Sequence, residues 1–380
     1  ISERIPEMIL VAISGKGTST YRKNCKPNLA GVEDKGNAEE VTEFIAKELI
    51  PYVNTKYNTD GFKILSGHSV GGLFVINTAL HNPKLFDRYI AISPALWWAG
   101  NAINQIAEEK VNGKDFKTNV YVSLADEKGM GVDSFLGVAT SSFLKNSITV
   151  YGIALSFIII AVLWGFRRKK VLFPIFLGLI GIGISAYLMF CYYPQNENFK
   201  FRKFADENHN SVGEPTYRWA LEDIFKSWRV DKDYFDSTED LKNHYTLVKS
   251  TYGTTFNIPY TVLGNTYYML QNNPDELSKM EVILKANYHN AFETFNIYRA
   301  GMVMEEKPKE SEKLINEVLQ INSKSSESYH LLAKIKLAEN NTAMADSLIN
   351  KAMNLAIYQK DRQWKINELN ETKKEIEEKN

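Results

Sequence analysis

Apolar and polar positions alternate on two rhythms along this chain, and the change of rhythm divides it. Short apolar runs between polar or glycine-rich breaks predict strands at Met8-Ile9-Leu10-Val11-Ala12-Ile13, Phe62-Lys63-Ile64-Leu65 and Asn119-Val120-Tyr121-Val122-Ser123-Leu124. Gly72 to Leu80 and Val132 to Asn146 read as helices, and Phe199-Lys200-Phe201-Arg202-Lys203-Phe204 alternates apolar with basic residues as a half-exposed strand does. Strands interleaved with helices predict an α/β fold with a doubly wound sheet. After Arg229-Val230-Asp231-Lys232-Asp233 the pattern is helical, with no strand signal.

A third pattern interrupts the first. From Ile148 to Phe166 there is no charged residue; Arg167-Arg168-Lys169-Lys170 follow, and Val171 to Tyr193 is again uncharged. Each stretch is long enough to cross about 30 Å of hydrocarbon as a helix, and core helices of water-soluble domains rarely run so far without charge. The expectation is a two-helix transmembrane hairpin inserted over 148–195, touching the membrane through 148–193. Gly178, Gly181, Gly183 and Ser185 give its second helix a smooth packing strip. A hairpin returns the chain to the side it left, so the strands before and after it can join one sheet. The basic tip belongs in the cytoplasm, which leaves the flanking domain periplasmic or extracellular. Lys145, Lys200, Arg202 and Lys203 at the other end weaken that bias, and a cytoplasmic domain is the alternative.

In the helical part, Leu263, Tyr298 and Leu332 recur at intervals of 35 and 34 residues when the surrounding segments are aligned. That is the tetratricopeptide period, and residues 231–380 are expected to form such repeats, closed by a polar last helix from Asp361 to about Lys379. An array of this kind is either a groove for a protein partner or a scaffold.

The chemistry sits in the first part. Gly67-His68-Ser69-Val70-Gly71 follows a strand and precedes a helix, the setting of a nucleophile elbow. A serine on so sharp a turn needs small neighbours, and the Val70 amide at the helix start can donate to a developing oxyanion. A serine hydroxyl also needs a histidine base and an orienting carboxylate, in the chain order Ser, acid, His. Asp126-Glu127 leaves the strand that ends at Leu124, and His209 lies on the loop after the strand at 199–204. Among six histidines only His209 has that position. His68 lies inside the elbow and is expected to pack against the sheet, and His81, His244, His289 and His330 read as surface or packing residues.

These residues carry a family resemblance. Residues 1–147 joined to 196–230 resemble the Putative esterase family of α/β-hydrolases, the group of siderophore esterases, feruloyl esterases and S-formylglutathione hydrolase. The matching stretches are Glu48 to Val53, Gly67 to Gly72, Ala91-Ile92-Ser93-Pro94-Ala95-Leu96-Trp97-Trp98 and Glu207-Asn208-His209-Asn210-Ser211-Val212. The resemblance implies Ser69 as nucleophile, His209 as base and Glu127 as acid, with Asp126 the runner-up. It implies that Trp97, Trp98 and His68 line the substrate pocket; for the tryptophans, capping the sheet is the alternative. It also implies that the family's first strands, the loop with the second oxyanion donor and any export signal precede Ile1.

Composition adds exclusions. Lys plus Arg and Asp plus Glu each number 45, and no basic stripe with interleaved aromatics offers itself to nucleic acid. Cys25 and Cys191 are ill placed to pair, and no histidine or cysteine cluster has metal spacing. No cofactor is expected. Two readings follow: a membrane-anchored serine esterase acting on a small-molecule ester, or a non-catalytic membrane adaptor whose hydrolase body presents helical repeats to a protein.

Overall fold

The computed structural model describes residues 4–15, 17–57, 59–111, 118–139 and 198–379. The expected hairpin at 148–193 lies outside the described residues, and among these no helix is long and apolar enough to cross a membrane. The chain divides into two compact units, Leu10–Ile224 and Phe225–Asn380 with Ile1–Ile9.

The first unit is built on four strands, β1 (Ile64–His68), β2 (Arg88–Ile92), β3 (Val120–Leu124) and β4 (Phe199–Lys203), all parallel and side by side in chain order. Ile64 pairs with Arg88, Tyr89 with Val120, and Val120 with Phe199. Parallel neighbours need crossovers, and helices supply them. The described helices are α1 (Thr18–Cys25), α2 (Ala38–Phe44), which runs through a π-helical turn into α3 (Ile50–Lys56), α4 (Val70–His81), α5 (Trp98–Val111), α6 (Val132–Ala139) and α7 (Gly213–Ile224). Every residue of α4 from Gly71 to Leu80 is buried, as expected of a helix apolar all round. Strands β2 and β3 are likewise apolar on both faces, the mark of a parallel sheet covered on both sides. Tyr121 of β3 donates to Asp223 of α7 (2.7 Å), and Lys200 of β4 forms an ion pair with the same carboxylate, which ties the last helix to the sheet.

The expected strand Met8–Ile13 does not form. That segment carries no strand pairing, and Met8, Ile9, Leu10, Val11 and Ile13 are all exposed, Leu10 to 93%. An apolar run says what a residue would tolerate in a sheet; a strand exists only when a ladder partner takes up its amides and carbonyls.

The second unit is all helical: α8 (Thr238–Tyr252), α9 (Tyr260–Leu270), α10 (Pro274–Asn287), α11 (His289–Val303), α12 (Pro308–Ile321), α13 (Ser326–Ala338), α14 (Thr342–Gln359) and α15 (Gln363–Lys379). Its punctuation is local. Ser237, Asn273, Ser325 and Asn341 accept the amide three residues on, Pro274 and Pro308 open their helices, and Gly253 closes α8 in the left-handed conformation. Leu263, Tyr298 and Leu332 fall on the alternate helices α9, α11 and α13; Leu263 and Leu332 are buried, and the Tyr298 ring lies against Gly264. Aromatic rings fill the entrance, with Phe225 against Tyr252 and Phe256 at 5.9 and 5.6 Å.

One of the histidines set aside as surface or packing is deep in this core. His330 of α13 is buried, with Nε2 2.8 Å from the Thr372 hydroxyl of α15. Burial, reinforced by Lys334 and Lys365, lowers its pKa to about 4, against about 6.5 in the unfolded chain. The folded state therefore favours the neutral ring. Its contribution is complete above pH 6.5 and is lost as the pH falls towards 4, a swing of about 3 kcal/mol. Thermal melts across that window should show the protein losing stability more steeply than its His330→Gln variant.

Candidate active site

The elbow is strained and held. Ser69 sits between β1 and α4 at φ 58° and ψ −115°, a conformation that costs on the order of 1–3 kcal/mol for a residue with a side chain. Three backbone hydrogen bonds pin it: its amide donates to Ile92 (2.9 Å), and its carbonyl accepts from Ala95 (2.9 Å) and Leu73 (3.1 Å). Of the glycines on either side, Gly67 is a steric necessity because it faces backbone, whereas Gly71 faces the tip of a side chain. A Cβ on Gly67 would stand 2.3 Å from the Gly71 carbonyl oxygen, and one on Gly71 would stand 2.5 Å from the Tyr21 hydroxyl.

Val70 is the first residue of α4, so its amide is among the helix donors with no intrahelical partner and lies at the positive end of the dipole. Tyr21 of α1 closes the far side of this turn. The Gly71 amide bears on its phenol, while burial and the neighbouring Cys25 push the phenol pKa up to about 12. Nothing in the spacing of the sequence singled out Tyr21, which reaches the elbow only because α1 packs on α4.

Glu127 and His209 meet across the ends of β3 and β4. His209 Nδ1 lies 2.8 Å from Glu127 Oε2. An ionised carboxylate only accepts, so Nδ1 carries the proton and Nε2 is left as the basic nitrogen. Asp126, the runner-up, points away: it pairs with Lys203 at 2.9 Å, and that ammonium holds its carboxyl below the usual range. The His209 loop is set by Asn208, whose side-chain oxygen accepts the amides of Asn210 (2.9 Å) and Ser211 (3.2 Å), while the Asp126 amide donates to Glu207 (2.9 Å). Buried hydroxyls, which no motif marked, join the neighbouring elements. The Ala125 amide donates to Ser93 Oγ (3.1 Å); the Thr216 hydroxyl of α7 donates to the Val212 carbonyl (2.6 Å) and accepts from the Ser123 hydroxyl (2.8 Å).

Ser69 follows β1, Glu127 follows β3 and His209 follows β4, so all three stand at the carboxyl ends of parallel strands, where open α/β sheets hold their ligands. The His209 ring lies 4.5 Å, centroid to centroid, from that of His68, the residue before Ser69. The hydrogen bond His209 makes through Nδ1 is to Glu127, and none joins its ring to the Ser69 hydroxyl.

Residues 1–141 match the Putative esterase family. Over 84 residues the chain is 37% identical to the siderophore enterobactin esterase of Emericella nidulans, a span covering 21% of this chain and 28% of that one. Over 66 residues it is 39% identical to the ferri-bacillibactin esterase BesA of Bacillus subtilis, covering 17% and 23%. The chain thus spans about a quarter of the length of the curated relatives it matches. A solved IroE-like serine hydrolase from Shewanella oneidensis overlays 71% of this chain and 77% of its own at 19% identity, with a TM-score of 0.46.

The two tryptophans differ in burial. Trp98 is buried in the core of the first unit and donates its indole N–H to Asp34 (3.3 Å). Trp97 is half exposed; its amide donates to the Met130 carbonyl (3.0 Å) and its carbonyl accepts from the Asn101 amide (3.3 Å). Among the described residues no group of three or more His, Cys, Asp or Glu is gathered as a metal site.

The close approach at Gly67 gives a direct test of the elbow. In Gly67→Ala the methyl group meets backbone that cannot give way, and the expected loss is at least about 2 kcal/mol, read as a lowered midpoint in denaturant unfolding.

Proposed function

We propose that this chain is a serine carboxylic-ester hydrolase working through Ser69, His209 and Glu127. The observation that carries the reading is the 2.8 Å contact between His209 and Glu127, made beside a strained serine at the start of a helix. In this scheme Ser69 Oγ attacks the ester carbonyl carbon as His209 Nε2 takes its proton. Glu127 steadies the resulting imidazolium, and the Val70 amide donates to the oxyanion. The proton then passes to the departing alkoxide, and water repeats the cycle on the acyl-enzyme. The relatives' names point to siderophore esters as the substrate class.

The uncharged stretches 148–166 and 171–193 with the Arg167–Lys170 tip support anchoring by a membrane hairpin, with the hydrolase on the periplasmic or outer side. The spacing of Leu263, Tyr298 and Leu332 supports tetratricopeptide-like repeats over 231–380, a surface suited to a protein partner.

A fluorophosphonate probe tests the chemistry. Labelling should be lost in Ser69→Ala and fall by at least about a hundredfold in rate in Glu127→Gln, while Asp126→Asn should react as the parent does. A folded protein that does not label, or one in which Asp126→Asn is the damaging change, removes the assignment. The anchor predicts that the protein stays with membranes through alkaline carbonate extraction and is released from them when 148–193 are deleted.

A further inference from the structure

Within the serine-hydrolase reading, the geometry bears on one more side chain beside the reacting groups, the His68 expected to line the substrate pocket. His68 ends β1, directly before Ser69, and its ring faces that of His209 at 4.5 Å with the planes 43° apart. Its Nε2 is buried and has no hydrogen-bond partner; the ring lies against the His209 ring and is hydrogen-bonded to the His209 backbone. Burial first, and the neighbouring His209 second, lower the His68 pKa, which keeps this ring uncharged when His209 takes up a proton.

On the other side of His209 stands Glu127, which fixes Nδ1 at a single point. One hydrogen bond leaves an imidazole free to rock about the Nδ1 axis, and rocking swings Nε2 away from the serine. A flat surface in contact with the ring removes that freedom. We propose that His68 is a positioning residue for the base: its ring is the wall against which His209 rests, so that Glu127 and His68 together set the line from Nε2 to Ser69. Because His68 is adjacent to Ser69 in the chain, the wall and the nucleophile move as one body. That couples the orientation of the base to the elbow itself.

The step that reads this is phosphonylation of Ser69, in which the serine oxygen bonds to phosphorus, fluoride leaves and the serine proton passes to His209. Two variants of similar bulk separate a flat wall from mere filling: His68→Phe and His68→Leu. With the full chain, the expected result is that His68→Leu lowers the rate constant at saturating probe about 10- to 100-fold, with the half-saturating probe concentration unchanged, and that His68→Phe recovers most of it. Circular dichroism and melting temperature establish that both variants are folded. Equal rates in His68→Phe and His68→Leu, or an effect confined to the half-saturating concentration, overturn the proposal while leaving the hydrolase assignment in place. Absence of labelling in the unmodified protein overturns the assignment itself and the proposal with it.

Discussion

Everything at the candidate site depends on one backbone conformation. Ser69 can sit at φ 58° only because its amide and carbonyl are taken by Ile92, Ala95 and Leu73, and because Gly67 leaves room for the carbonyl of Gly71. Those partners come from β2, the loop after it and α4, so the strain of a single residue is spread over the best buried part of the sheet. Strain of this kind persists where the surroundings over-determine it. The fully buried α4 and the apolar β2 and β3 are what make the surroundings stiff.

The carboxylate and the histidine are organised by a different device. Their loops are short and polar, and they are fixed by hydrogen bonds within and between turns: Asn208 onto Asn210 and Ser211, and Asp126 onto Glu207. Lys203 adds a selective element. By occupying Asp126 it leaves Glu127 as the carboxylate free to face His209, so a neighbouring ion pair settles which of two adjacent acids meets the ring.

Much of this was legible in the chain. The elbow, the order Ser, acid, His, and the strands at 64, 120 and 199 follow from apolar runs and glycine placement, because those features report on local backbone. The choice of Glu127 over Asp126 came from the family resemblance, since adjacent carboxylates on a turn look alike in sequence. What was not legible depends on partners far away in the chain. The strand expected at Met8–Ile13 fails for want of a ladder, and Trp98 is buried among core residues from distant parts of the chain. Tyr21 reaches the elbow through helix packing, and His330 is buried by a helix some forty residues further on. Periodicity marks which residues want burial; it carries no information on which neighbour provides it.

The pairing of β3 with β4 has a consequence for how the molecule comes into being. Glu127 and His209 are 82 residues apart in sequence, with the uncharged stretches between them, yet they meet on adjacent strands. Serine and carboxylate are therefore both synthesised, and can fold with β1 to β3, before the base exists on the ribosome. Closing the β3–β4 ladder is a long-range step that is slow by its nature. Glu127 and His209 can therefore meet only once β4, the last of the four strands to be made, has joined the sheet.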